Sequence, residues 1–229
     1  LLAQPGYKID FTIKGLHDTT SYLCYYYNES TYITDTARIS KDGKASFSGN
    51  KKLAHGVYFL TADKSRLFDM VISDQQHFSM QTSTEDYVKN MKVSGDEDNR
   101  MFFENMVYTM EHHRKAEPYL KIIRDSTLKD DQKLEARAAY EMVSAEVMKH
   151  QNELIAKYPR SMTVRLLKVT KPVEIPEPPK KAHGSIDSTF RFRYYRSHFF
   201  DNLDLSDDAM IRLPKPMYQE KVNEYLDKL

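Results

Sequence analysis

The sequence has little of what several protein classes depend on. Its 229 residues include one cysteine, Cys24, so neither an intrachain disulfide nor a CxxC redox motif is available. No apolar run reaches the roughly 18 residues that a membrane-spanning helix needs. Lys and Arg number 34 against 33 Asp and Glu, which leaves a net charge of +1. That balance argues against nucleic acid as an obligate partner, because phosphate binding needs a concentrated basic surface.

The sequence also lacks tryptophan, internal repeats of about 20–50 residues, and any catalytic or cofactor motif. We therefore assign no catalytic, cofactor-binding or metal-ligating residue from motifs, and we expect no cofactor. Hydrophobic residues make up 40% of the chain and charged residues 29%, which is typical of a soluble globular protein. The length is enough for one large domain or two modest ones.

The N-terminal part has the two-residue period of β-strands. KIDFTIKGL (8–16) alternates apolar and polar side chains, which is typical of a strand with one buried face. Asp42-Gly43 is a strong hairpin signal and predicts residues 45–50 as the return strand. Short strands separated by such turn signals predict an antiparallel β-sandwich or partly open barrel over residues 1–95.

After Gly95 the apolar residues recur with a helical period, which predicts a helical domain over residues 96–229 and an α+β fold class for the chain. Pro118 should kink or divide the first helix. A proline-rich loop is expected at residues 171–184. The predicted helices cover residues 96–125, 130–158, 161–170, 188–203 and 217–229.

The clearest of these helices, at 130–158, has an apolar face with charges elsewhere on its circumference. That face is formed by Leu134, Ala138, Met142, Ala145, Met148 and Ile155. Nearby, Glu111-His112-His113 has the residue types of a metal site. Adjacent helical residues diverge by about 100°, however, and the HExxH pattern is absent, so we interpret these three residues as a solvated helix face.

Residues 197–210, SHFFDNLDLSDDAM, form the best candidate site by composition. His198 and Asp201 lie one helical turn apart, which suggests a hypothesis of hydrolytic or metal chemistry there. A calcium loop of the EF-hand type needs acidic residues at alternate positions, with a glycine and a glutamate at fixed places. The segment instead has acids at about every third position, including Asp204 and Asp207.

We favour a structural interpretation of this segment. Ser206 can cap a helix that begins at Asp207, and Asp207 with Asp208 would then occupy its positive end. Asp201 and Asp204 can hold backbone amides or pair with the arginines at 191, 193 and 196. On this interpretation, Asp201→Ala and Ser206→Ala should each cost about 1 kcal/mol of stability.

A tyrosine-rich predicted strand offers another candidate surface. Alternation places Tyr25 and Tyr27 on one face and Tyr26 on the other, so one face can stack against sugars or bases while the other enters the core. Cys24 lies in the same strand, and no neighbouring residue supplies the base or cation that a reactive thiolate needs. We interpret Cys24 as a small buried apolar side chain.

Two stretches carry a family resemblance. Residues 35–60, DTARISKDGKASFSGNKKLAHGVYFL, resemble an uncharacterised domain at the N-terminus of Bacteroides-type envelope thiol:disulfide interchange proteins, which are TlpA/ResA-like. Residues 193–229, RYYRSHFFDNLDLSDDAMIRLPKPMYQEKVNEYLDKL, are a more specific match to a second uncharacterised domain of such proteins. In these proteins a thioredoxin-like domain with a CxxC dithiol usually follows. The present chain contains neither, so the family's catalytic residues have no counterpart here.

The resemblance implies a non-catalytic N-terminal region of an exported thiol–disulfide oxidoreductase, located in the periplasm or cell envelope. It would position a covalently linked thioredoxin-like domain, form a homodimer or present protein substrates. LLAQ (1–4) looks like the end of a removed signal peptide, although an arbitrary starting point would look the same. The alternative is an envelope module that binds a glycan or peptide through Tyr25 and Tyr27.

Overall fold

The computed structural model of the chain describes residues 6–180 and 186–229. The signal-peptide prediction at residues 1–4 lies outside these residues, as do positions 181–184 of the predicted loop. Positions 171–180 contain no helix, and Lys180 makes an isolated β-bridge with Ile186.

The N-terminal half consists of eight strands in two four-stranded sheets. The strands are β1 (Tyr7–Lys14), β2 (Thr20–Tyr27), β3 (Ser30–Arg38), β4 (Lys44–Gly49), β5 (Gly56–Ala62), β6 (Ser65–Ile72), β7 (His77–Ser83) and β8 (Lys92–Ser94). The first sheet has the order β4-β1-β7-β8 and the second has the order β3-β2-β5-β6. All pairs are antiparallel except β1 with β7, which are parallel.

The helical half confirms the predicted α+β class. Its α-helices are α1 (Glu97–Arg124), α2 (Leu134–Lys157), α3 (Met162–Thr170), α4 (Phe190–His198) and α5 (Met217–Lys228). Short 3₁₀ helices cover Asp131–Lys133 and Asp208–Arg212. The predicted division at Pro118 is wrong, because α1 runs through it. Pro118 lies on the exposed side of α1, where water can bond the carbonyl group that its ring leaves unpaired.

The hairpin predicted at Asp42-Gly43 is also wrong, although the turn itself exists. Gly43 has φ +73° and its N–H donates to the carbonyl of Ser40 at 3.0 Å. The chain then crosses to the other sheet, and β4 pairs with β1 rather than with β3. Burial decides this pairing, because the alternate residues of β4 face the sandwich core.

Two hydrophobic cores share the second sheet. The first lies between the two sheets and is closed at one end by Phe103 of α1. The second lies on the outer face of the second sheet, where residues of α3 and of the 203–213 segment cover Cys24 and Tyr26. Strand β5 supplies Leu60 to the first core and Phe59 to the second. The second sheet is therefore buried on both faces, and this joins the helical half to the β half.

Two buried side chains at the start of α1 join elements that are distant in sequence. The side-chain oxygen of Asn99 accepts the N–H of Val71 at 2.9 Å, and its NH₂ donates to the carbonyl of Val71 at 2.7 Å. Asn99 thus satisfies the backbone groups of Val71 at the outer edge of β6. The carboxylate of Asp98 accepts the N–H groups of Met162 at 2.7 Å and Thr163 at 3.0 Å, in the first turn of α3.

Helices α1 and α2 form a hairpin, in which α2 turns a second set of apolar residues to α1. Ala136 is buried there, and Val143 and Val147 are half-buried. Of the six residues of the apolar face that the sequence indicates, five lie in solvent and Ile155 is half-buried. Leu134 and Met142 on that face are exposed.

Candidate functional site

The segment 197–210 is a corner that packs against the outer face of the second sheet. Helix α4 ends at His198, and the chain then reverses before the 3₁₀ helix at Asp208–Arg212. Four apolar residues of the corner are buried, three of them in the second core, whereas Leu205 is exposed: the buried ones are Phe199, Leu203, Ala209 and Met210. The corner attaches the C-terminal helices to the sheet.

The polar residues of the corner satisfy one another and the local backbone. Nδ1 of His198 lies 2.7 Å from Oδ2 of Asp201. Asp204 accepts the backbone N–H of Ser206 at 2.9 Å and its hydroxyl at 2.6 Å. The hydrogen bonds from Ser206 lower the pKa of Asp204 below its usual range. Asp207 accepts the N–H of Ala209 at 3.0 Å.

The predicted cap at Ser206 is wrong, because Asp207 caps the helix that follows and that helix is 3₁₀ rather than α. The reason lies in a distant contact. Arg165 of α3 places its guanidinium 3.2 Å from the Asp207 carboxylate, which fixes Asp207 beside the free N–H groups. Ser206 instead turns its hydroxyl back to Asp204.

This geometry changes the expected cost of substitutions in the corner. We expect Asp207→Ala to lower the free energy of unfolding by about 1–2 kcal/mol, because it removes both the cap and the ion pair with Arg165. Ser206→Ala and Asp201→Ala should cost less than about 0.5 kcal/mol each, since both side chains are exposed. Urea denaturation of the three variants checks this order. A cost for Ser206→Ala as large as that for Asp207→Ala would contradict it.

His198 and Asp201 form a partly exposed pair, and the ring of Tyr194 stacks on His198 with centroids 4.0 Å apart. Within residues 6–180 and 186–229, no group of three or more His, Cys, Asp or Glu side chains is arranged to hold a metal ion. The contacts of the corner are those of turns and caps.

The tyrosine-rich strand divides its rings between core and solvent. Tyr26 is buried in the second core, with its hydroxyl 3.3 Å from Asp69. Tyr25 is half-buried against Tyr58, whereas Tyr27 is 43% exposed and Tyr32 of β3 is 50% exposed. The rings of Tyr27 and Tyr32 meet edge to face, with centroids 6.3 Å apart. The exposed aromatic surface is therefore Tyr27 with Tyr32 rather than Tyr27 with Tyr25.

Strand β3 is the open edge of the second sheet. In the described part of the chain it pairs with β2 on one side and with no strand on the other. Its central residues Tyr32 and Ile33 are exposed. At the opposite edge, β6, the side chain of Asn99 bonds the backbone of Val71.

Cys24 is buried beneath the helical half, as its interpretation as a small apolar side chain predicts. Burial raises the pKa of its thiol above the ordinary value, with a smaller opposing effect from a hydrogen bond with Thr61. A buried thiol with a raised pKa is less reactive than an exposed one.

The interpretation of Glu111-His112-His113 as a solvated helix face is wrong for His112. That ring is buried between α1 and α2, where Nε2 lies 3.1 Å from Oε2 of Glu146 and Nδ1 lies 2.8 Å from the carbonyl oxygen of Tyr108. The ring also stacks on Tyr108 at 4.0 Å. Only the spacing of Tyr108 and His112, one helical turn apart, could have indicated this from the sequence.

Motif reasoning also missed a groove between α1 and the segment that leads to β8. It has a volume of about 530 Å³, a floor that includes Phe103 and Val107, and a rim with the charged groups of Lys89, Lys92 and Glu104. None of these residues belongs to a sequence motif, because the groove exists only where α1 meets residues 88–93.

Residues 7–102 match a protein family described as a domain of unknown function, DUF4369. The match covers the sandwich and the first turn of α1, which is less than half of the chain. No curated protein matches the chain. No helix in the described ranges is long and apolar enough to cross a membrane.

Proposed function

We propose that this chain is a non-catalytic accessory region of an exported thiol–disulfide oxidoreductase, and that it supports a thioredoxin-like domain in the periplasm or cell envelope. The observation that carries the proposal is the burial of Cys24 under the second core. Burial keeps a protein disulfide from reaching this thiol, because attack requires access to the sulfur. The reactive dithiol of such a protein therefore belongs to another domain.

The segment with the most specific resemblance, 193–229, supports this role by its packing. The rings of Phe199 and Phe200 contact Tyr225 of α5, with centroids 5.6 and 5.1 Å apart. The corner thus contacts α5 through its aromatic rings and the sheet through the second core. Such a segment suits a rigid support for another domain better than it suits a reaction centre.

The complete open reading frame that contains this chain provides the test. We expect it to encode a CxxC-bearing thioredoxin-like domain, and the complete protein to reduce insulin in the presence of dithiothreitol. Cys24→Ala should leave that rate unchanged, whereas replacing the CxxC cysteines by serine should abolish it. An open reading frame without such a domain would overturn the proposal, and so would loss of activity in a folded Cys24→Ala protein. Recovery of the native protein in the cytosolic fraction would overturn export.

A second candidate function, peptide binding at the open β3 edge, is favoured by the exposed Tyr27 and Tyr32. An extended peptide can add a strand to an exposed edge, with affinity from main-chain hydrogen bonds and specificity from flanking side chains. The exposed rings next to this edge would supply such side-chain contacts. A glycan would use the rings alone and would not need the edge.

Peptide and glycan arrays probed with the purified chain distinguish these ligands. Peptide binding should be lost in the Tyr27→Ser/Tyr32→Ser variant and kept in Phe192→Ser, which removes an exposed ring on α4. Binding to glycans instead of peptides would select the other ligand class. An absence of binding to both arrays would reject this second function and leave the accessory role untouched.

A further inference from the structure

The exposed side of α2 is an apolar stripe that nothing in the described part of the chain covers. Its three large side chains, Leu134, Met142 and Met148, are 62, 70 and 49% exposed. Ala138 and Ala145 lie between them and are also exposed. With 1.5 Å of rise per residue, the stripe from Leu134 to Ala156 is about 33 Å long. Exposed apolar surface concentrated on one helix face is typical of a protein interface.

The charges beside the stripe have an order that distinguishes possible partners. Residues four apart form a ridge along a helix, and the ridge through Ala145 consists of Arg137, Glu141, Ala145, Lys149 and Glu153. Its signs are plus, minus, neutral, plus, minus. When the row is read in the opposite direction, with Ala145 at its centre, each charged position has the opposite sign. A second copy of this ridge in antiparallel orientation therefore meets each charge with a counter-charge, whereas a parallel copy meets like with like.

The sizes of the side chains along the stripe also fit an antiparallel pair. The C-terminal half of the stripe is a shallow surface formed by α2 alone, on which Ala145 and Ala156 are small and Met148 is the one large apolar side chain. Its N-terminal half carries the large side chains Leu134 and Met142. In an antiparallel pair centred on Ala145, Met142 lies beside Met148 of the second copy, and Leu134 lies beside Ala156. Leu134 then packs against a small side chain on both sides of the two-fold axis, and the two methionine pairs lie nearer the axis.

We infer that the protein forms a homodimer in which α2 crosses the same helix of a second copy in antiparallel orientation at Ala145. The small side chain of Ala145 permits close approach at the crossing point. Arg137 already pairs with the exposed Asp130 at 2.7 Å, and its guanidinium has further donors for Glu153 of the second copy. The sign reversal favours a second copy over an unrelated protein. The inference is independent of the proposed function.

Cysteine cross-linking tests both the contact and its orientation. On the two-fold axis, the Cβ atoms of residue 145 lie within disulfide distance, so Ala145→Cys should form a covalent dimer under mild oxidation. Leu134→Cys alone should not cross-link, because its two copies lie at opposite ends of the seam. Leu134→Cys/Ala156→Cys should cross-link. The wild-type chain, with Cys24 buried, and Met110→Cys, exposed on α1, are the controls. Efficient cross-linking of Leu134→Cys alone would indicate a parallel pair and overturn the inference.

Charge reversal tests the pairing in solution, by sedimentation equilibrium at low salt. The wild-type protein should have twice the 26.9 kDa mass of the chain. Glu141→Lys should weaken the dimer about tenfold, since it sets two repulsive pairs with Lys149 across the axis. Glu141→Lys/Lys149→Glu should restore the wild-type dissociation constant, because the reversed row is again self-complementary. Restored affinity would show that the loss in Glu141→Lys comes from repulsion by Lys149 of the second copy. It would exclude a general effect of a lysine at position 141 on α2.

Met142→Lys/Met148→Lys should give a folded monomer, with circular dichroism matching the wild-type spectrum. A wild-type protein that is monomeric at a concentration of about 100 μM would overturn the inference, as would a dimer that survives both lysines. Failure of Glu141→Lys/Lys149→Glu to recover the dimer would overturn the antiparallel register. None of these outcomes changes the test of the proposed function, which depends on Cys24 and on the open reading frame.

Discussion

Replacing Asn99 with alanine is expected to lower the free energy of unfolding by about 3–5 kcal/mol. The side chain is fully buried and makes three hydrogen bonds, two with the backbone of Val71 and one of 2.6 Å with Asp96. Its loss leaves the N–H and C=O of Val71 without partners in a buried strand edge, and each such group costs about 1–3 kcal/mol. Urea denaturation followed by circular dichroism measures the change.

Asn105 provides a matched control on the same helix. It is also buried, but its side-chain oxygen has no hydrogen-bond partner. Asn105→Ala should therefore cost less than about 1 kcal/mol, because the buried side-chain oxygen that it removes makes no hydrogen bond. Equal losses for the two variants would mean that packing, rather than the hydrogen bonds to Val71, determines the effect at Asn99.

Replacing Asp98 with alanine should cost about 3 kcal/mol and should loosen α3 in particular. The buried carboxylate satisfies two of the free N–H groups at the start of α3, and the hydroxyl of Thr163 donates to the Asp98 carbonyl at 3.1 Å. Hydrogen bonds to a charged acceptor are the stronger kind, and the helix dipole favours a negative charge at this end. Hydrogen exchange of the Met162 and Thr163 amides, together with urea denaturation, provides the measurement.

Glu97→Ala is the control for Asp98, because Glu97 occupies the same turn of α1 but is exposed and pairs with Arg100. It should change stability by less than about 0.5 kcal/mol and leave the exchange of α3 unaffected. If Asp98→Ala left the α3 amides as protected as in the wild type, the carboxylate would not be what attaches α3 to α1.

Most of the helices and strands could be predicted from the sequence, because the spacing of apolar residues within one segment is enough to indicate them. The alternation in β1 and the helical period of α2 each follow from which side chains of one segment can share a face. The pairing of strands, by contrast, depends on residues from distant parts of the chain. The Asp42-Gly43 turn forms as its residues dictate, but the strand after it joins β1, because its buried residues belong to the core between the sheets. Nothing within residues 38–50 specifies that choice.

The candidate residues show the same limit. The sequence marks an apolar face on α2, but it cannot say whether that face meets α1 or solvent, and the structure places most of it in solvent. The cap at Asp207 depends on Arg165, which is 42 positions away. The burial of His112 depends on Glu146 of the next helix. Each error arose where a contact between separate elements overrode a sound local pattern.

The double burial of the second sheet has a consequence for synthesis of the chain. Val71 leaves the ribosome about 140 residues before Met210, which helps to cover the outer face of the sheet. At typical elongation rates this corresponds to roughly 7–28 s in which the sandwich exposes an apolar face. During that interval the thiol of Cys24 is open to oxidants and labelling reagents. Protection of Cys24 in nascent chains of increasing length would therefore report when the helical half docks.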